Sequence, residues 1–167
     1  AYNGMLAYGK RHELFELKPA HKCFDLAEMK AHCEALALPA LKVVVTGNGR
    51  VANGAVETLE AMGMYRVEPV DFLAHDYEDA VFTQLKPADY NVRKDRAAFD
   101  LARFFNHGEE YEAAFAPFAK KADVLVAGAY WDVKQPALFT KENMRQADFN
   151  IQVIADITCD IEGSIPS

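Results

Sequence analysis

The sequence predicts an α/β fold, a doubly wound, mostly parallel sheet with helices on both faces, and three observations predict it. "LKVVVT", Leu41 to Thr46, is an uninterrupted β-branched run of the kind found in a strand buried on both faces. It passes through "GNG" straight into a stretch whose apolar residues, Val51, Ala55, Leu59 and Met62, recur at helical spacing. Two later apolar runs, "ADVLVAG" and "IQVIADI", read as further strands separated by helical stretches. Parallel neighbours need such crossovers, so strands alternating with helices imply a parallel sheet covered on both sides.

Taken in order, "LKPAHKCFDLAEMKAHCEALAL" contains a helix start. Asp25 can cap it, Glu28 three residues on makes a capping-box-like pair, and Leu26, Met29, Cys33 and Leu36 supply the periodicity. This helix leads through Pro39 into the first strand, so residues 1–40 read as a lead-in from a partner domain and 41–167 as the domain proper. The helix after the glycines should stop at Gly63 in a left-handed conformation. "YRVEPVDF" reads as the second strand, at an edge or strand end because Pro69 lacks an N–H. Residues 75–96 are polar and irregular, and 97–121 suggest two short helices broken at His107 and Gly108. A helical insertion at about 75–119 is therefore expected. "TKENMRQ" is a short helix capped by Thr140.

Bulk composition narrows the function classes. With 167 residues, 51% of them hydrophobic, the chain has the size of one domain or a little more. Its net charge of -7 repels phosphate backbones and anionic headgroups, which argues against nucleic acid and membrane partners. No apolar run approaches the roughly 20 residues that span a bilayer, and no signal peptide opens the chain. A soluble cytoplasmic protein is the expectation. Cys23, Cys33 and Cys159 are odd in number without CxxC spacing, so they read as reduced thiols. The histidines lack metal-like spacing, and no metal is expected. The start at Ala1 and the stop at "GSIPS" read as an excised piece of a longer protein.

The glycines carry the functional signal. Gly47, Gly49 and Ala52 satisfy G-x-G-x-x-A, a form of the Rossmann-type dinucleotide fingerprint. The first glycine makes the turn, the second lets backbone approach a pyrophosphate, and the third small residue lets helix and strand pack closely. Gly47, Asn48, Gly49, Arg50 and Val51 are thus the candidate cofactor cradle, with the helix starting near Arg50 aiming free N–H groups at phosphate. Asp71 stands 24 positions after Gly47, at the end of the expected second strand, where a carboxylate can take the adenosine ribose hydroxyls. That favours NAD over NADP, a preference Arg50 and Arg66 would soften. Two alternatives stand beside this one: a glycine turn that binds nothing, and an S-adenosylmethionine fold. The latter usually carries an acid ahead of the glycines, where Thr46 stands here.

"TGNGRVANGAVETLEAMG", "ADVLVAGAYWDVKQPALFT" and "IQVIADITCDIEGSIP" together resemble the cofactor-binding domain shared by lysine-forming saccharopine dehydrogenases, alanine dehydrogenases and proton-translocating transhydrogenases. The saccharopine dehydrogenase branch is the most similar: Gly49, Arg50 and Gly54 match its glycine loop, "AYWDVKQP" its aromatic-rich turn, and "YNGMLAYGKR" its lead-in segment. The resemblance implies an NAD-linked oxidoreductase acting at the carbon–nitrogen bond of an amino acid or the corresponding oxo acid. It also implies that the proton-transfer Lys and His lie in a second domain, so this chain alone should bind cofactor without turnover. An alanine dehydrogenase-like enzyme and a non-catalytic nucleotide sensor are the alternatives. The resemblance leaves homo-oligomerisation open, since family relatives vary.

Other candidates follow from the strand ends. Asp156 closes the last strand, where ligands bind in open α/β sheets. Asp160, in "ADITCDIEGS", fits the family loop beneath the nicotinamide as a supporting catalytic residue. Tyr130 follows the strand ending at Gly128 and would wall the cofactor crevice. Trp131 beside it is as readily ordinary packing. Cys159 sits between acids that disfavour its thiolate.

Overall fold

The valine run after Leu41 forms the centre of the sheet. The structure is a computed structural model and describes residues 1–158 and 163–166. In chain order its elements are α1 (Tyr2–His12), α2 (Leu26–Glu34), β1 (Lys42–Thr46), α3 (Arg50–Ala61), β2 (Tyr65–Arg66), α4 (Pro69–Ala74), β3 (Val81–Leu85) and α5 (Pro87–Tyr90). Then come β4 (Asn91–Arg93), α6 (Leu101–Asn106), β5 (Tyr111–Ala113), α7 (Ala116–Ala119), β6 (Val124–Ala127), α8 (Lys141–Met144) and β7 (Val153–Asp156). The main sheet has the order β2-β3-β1-β6-β7 and every pairing in it is parallel, while β4 and β5 form a separate antiparallel pair.

β1 is buried on both faces, as its composition requires. Val43 and Val45 face a core built with α1, α2 and α3, and Val44 faces a second core built with Phe72, Tyr90, Phe115 and Phe118. Burying one such side chain stabilises by roughly 1.5–3 kcal/mol, so this strand anchors both layers. Residues before Pro39 join the same core: Tyr2, Met5, Tyr8 and Cys33 pack in one cluster with Val43 and Val45. Asp25 caps α2 by accepting the Glu28 N–H at 2.9 Å, and Glu28 reaches back to the Phe24 N–H at 2.5 Å. Gly63 has φ +78 just past α3, and Thr140 caps α8, both as the sequence indicates.

Two expectations are corrected. "YRVEPVDF" is not one strand: β2 ends at Arg66, and Pro69 opens the helix α4. A proline at the first helical position has its fixed φ and its missing N–H already accommodated, so the chain turns helical there. The stretch from 75 to 119 is not merely a helical insertion, because it contributes β3, the strand lying directly against β1. Thr83 and Gln84 disguise β3 as polar, yet all five of its residues are buried. The break at His107 and Gly108 is present, but β5 separates the two helices α6 and α7. Among the described residues no helix is long and apolar enough to cross a membrane.

Candidate functional site

Parallel register brings the carboxyl ends of four strands into one row. Thr46 lies level with Leu85 on one side and Ala127 on the other, and Ala127 is level with Asp156. Gly47 leaves this row with φ +95, a conformation open to glycine and costly to other residues. A side chain is excluded for a second reason, since a Cβ there would lie 2.8 Å from the Ala129 Cα. The turn is held by β3: the Gly47 N–H donates to the Leu85 carbonyl at 2.8 Å. The buried Gln84 carboxamide donates to the Gly47 carbonyl at 3.1 Å and to Asn53 Oδ1 at 3.0 Å.

The remainder of the turn is unlike Gly47. Asn48, Gly49 and Arg50 are exposed, and a Cβ on Gly49 would meet nothing within 4 Å. Gly49 is the N-cap of α3, and no side chain caps the helix there. The first-turn N–H groups and the positive end of the helix dipole are therefore presented to open space, the arrangement that receives phosphate. Ala52, fully buried, packs against the Gly128 backbone: a Cβ on Gly128 would lie 3.2 Å from the Ala52 Cα. Two of the three fingerprint positions, Gly47 and Ala52, thus have a steric duty within the fold, while Gly49 leaves room above the turn in which a dinucleotide pyrophosphate would fit.

Of the other predicted residues, Val51 and Asp156 are brought together. Both line a cleft of about 570 Å³ between α1, the start of α3 and the end of β7. Val51 is 52% exposed rather than part of the core that its helical spacing suggested. One Asp156 oxygen accepts the Thr158 N–H at 3.2 Å and the Thr158 hydroxyl at 2.9 Å, so the carboxylate also shapes its own turn. Tyr130 is 74% exposed, borders a small cavity with Thr46, Asn91 and Gln135, and stands on the loop that Gly47 touches. Trp131 donates its indole N–H to the Pro136 carbonyl at 3.2 Å, a packing role. Asp160 lies outside the described residues.

Asp71 is displaced from the site. It sits in the first turn of α4 and pairs with His75 at 3.9 Å. The Lys42 ammonium, at the start of β1, donates to the Phe72 carbonyl and to the His75 carbonyl at 2.9 Å. That ties Asp71's neighbourhood to the amino ends of the strands, opposite the glycine turn. The expectation of a strand end at Asp71 came from counting residues along the chain, whereas Pro69 starts a helix before it. Gln84, which braces the Gly47 turn, was missed because β3 was missed; a polar pair inside "AVFTQL" was the available signal.

The class these features define is an α/β domain with a Rossmann-type glycine turn. Comparison with known proteins adds kin. The chain is 26% identical over 147 residues to the mitochondrial alpha-aminoadipic semialdehyde synthase of Rattus norvegicus, a match covering 75% of this chain and 16% of that protein. It is 28% identical over 145 residues to the alpha-aminoadipic semialdehyde synthase of Arabidopsis thaliana, covering 75% and 14%. The match thus takes in about a sixth or less of the length of these relatives. No family model matches the chain. The two likenesses agree with the resemblance read from the sequence, at the coarse level of an oxidoreductase-like domain.

Proposed function

We propose that this chain is the nicotinamide-dinucleotide-binding domain of an amino-acid-linked oxidoreductase of the saccharopine dehydrogenase type. The observation that carries the reading is the open half of the glycine turn: a Cβ on Gly49 would meet nothing within 4 Å, at the start of a 12-residue helix that no side chain caps. The pyrophosphate lies over Gly49 and takes N–H groups of Arg50 and Val51, with the exposed Arg50 side chain beside it. Gln84 and Leu85 hold the turn in the receiving shape from below. Val51 and Asp156 border the cleft at the other end of the strand row, where the nicotinamide and an amino or oxo acid belong. When bound, the nicotinamide supplies the acceptor or donor of hydride at the substrate carbon–nitrogen bond. This chain's own part is to orient it and to limit water access; the proton-transfer groups are assigned to a further domain. Alpha-aminoadipic semialdehyde synthase, the name carried by both relatives, is consistent with amino-acid chemistry.

Calorimetric titration with NADH, NADPH and S-adenosylmethionine tests the reading. A nicotinamide cofactor should bind and S-adenosylmethionine should not. Gly49→Val should weaken that binding at least tenfold, while Asp71→Ala leaves it unchanged. Binding of neither nicotinamide cofactor would refute the proposal.

A further inference from the structure

The small cavity beside the loop that closes on Gly47 is a polar site in its own right, whether or not a cofactor binds. It lies between the end of β1, the start of β4 and the loop after β6, where Thr46, Asn91, Tyr130, Gln135 and Ser164 contribute its polar walls. Gln135, only 6% exposed, is held at both ends of its side chain. Gly108 packs so closely that a Cβ there would lie 2.8 Å from the Gln135 Cγ, and the carboxamide Oε1 accepts the Asp132 N–H at 3.4 Å. Turning the carboxamide over would set two N–H donors face to face, so Nε2 is the atom directed away from Asp132. That nitrogen is fully buried and, among the described residues, has no hydrogen-bond partner. A buried amide donor left unmatched is costly. Matching groups stand on the other walls. Asn91 donates from Nδ2 to the Pro87 carbonyl at 2.9 Å, and among the described residues its Oδ1 accepts nothing. The buried Thr46 and Ser164 hydroxyls are likewise unpartnered among those residues. An unmatched donor, an unmatched amide oxygen and two hydroxyls that serve either way are the complement of a water molecule. The room inside, about 20 Å³, exceeds the roughly 10–15 Å³ that a water needs and is too small for an organic group. Among the described residues no charged side chain lines it, so nothing there offsets the desolvation of an ion.

We infer that this cavity is a binding site for one buried water, which accepts from Gln135 Nε2 and donates to Asn91 Oδ1 and to the Thr46 or Ser164 hydroxyl. The water ties the end of β1 and the β4–β5 pair to the loop from Ala129 to Gln135. Since the Ala129 backbone is what closes on Gly47, the same water helps hold that loop against the glycine turn.

High-resolution crystal structures of the whole chain, wild type and Gln135→Met, test the site together with amide hydrogen exchange on both proteins. Methionine is close to glutamine in length, adapts to irregular space and removes the donor. The wild type should show a single solvent peak within hydrogen-bond distance of Gln135 Nε2 and of at least two of Asn91 Oδ1, Thr46 Oγ1 and Ser164 Oγ. In Gln135→Met that peak should be lost. The Gln135-position and Leu138 amides, bonded to the Asp132 and Ser164 carbonyls, should then exchange several-fold faster while those of β1 and β6 keep their rates. A wild-type cavity without the peak, or a Gln135 carboxamide turned onto a protein group, overturns the inference without recourse to any variant. A peak that stays in place in Gln135→Met, or loop exchange that does not change, overturns the part given to Gln135 in holding the water and, through it, the loop. Cofactor enters none of these measurements, so each outcome leaves the proposed function as it stands.

Discussion

Gly47 and Gly49 stand two residues apart in one motif, yet the structure treats them as opposites. Gly47 is buried, has φ +95, and leaves no room for a Cβ against Ala129; Gly49 is exposed, has φ -86, and faces open space. The first glycine is required by the fold whether or not anything binds, and the fold makes no such demand of the second. A glycine-rich match in a sequence therefore mixes two kinds of information, and the second position is the one that speaks about binding.

The largest expected effect falls on the locked end. Gly47→Ala must either pay for a left-handed non-glycine residue or move the Ala129 loop, and should destabilise by about 3 kcal/mol, close to 10 °C in Tm. Thermal denaturation without cofactor reads it; a change below about 1 kcal/mol would show that the Ala129 loop yields freely and that the contrast between the glycines is one of degree. Next is Ala52→Leu, which drives three extra heavy atoms toward the Gly128 backbone. Overpacking there should cost about 2 kcal/mol in a urea melt. Gly49→Val is the counterpart at the open end. Exchanging glycine for valine at an N-cap should cost less than about 1 kcal/mol, while the affinity loss proposed for this variant is at least tenfold. A melt showing Gly49→Val as damaging as Gly47→Ala would erase the distinction.

How far the sequence could be read follows from the same contrast. β1, α3, β6 and β7 were legible because unbroken apolar runs and a helical period identify elements buried in a two-sided sheet. The roles of Gly47 and Ala52 were legible too, since the fingerprint states geometric needs that the structure meets at Ala129 and Gly128. β3 was not, because Thr83 and Gln84 interrupt its apolar character. Gln84 is polar for a reason invisible in one dimension: its carboxamide satisfies the Gly47 carbonyl and Asn53. Asp71 was expected at the end of a strand, and it lies instead on a helix started by Pro69. Local pattern can name a strand, but it cannot say which strand will lie beside which.

The smallest effect lies farthest from the turn and asks whether the locked end depends on the segment before Pro39. Lys18 pairs with Glu28, and this ammonium, with the Phe24 N–H after it, holds the Glu28 carboxyl down at about 2, against a usual 4.5. A carboxyl whose folded value lies below its unfolded one contributes fully above about 4.5 and loses that contribution as pH falls toward 2. Stability of the wild type should therefore decline through this window, and Glu28→Gln should decline less steeply through it while matching the wild type's slope near neutrality. Glu28 is about a third exposed and partly screened, so the difference should be small and should shrink further in high salt. Because α2 packs in the same cluster as Val43 and Val45, urea melts at pH 3 and pH 7 also test cooperativity. If α2 and the sheet unfold as one unit, the acid effect of Glu28 appears in every probe, including a fluorophore placed near the glycine turn. If the lead-in releases first, the effect is confined to probes on α2, and the locked turn at Gly47 depends on the sheet alone.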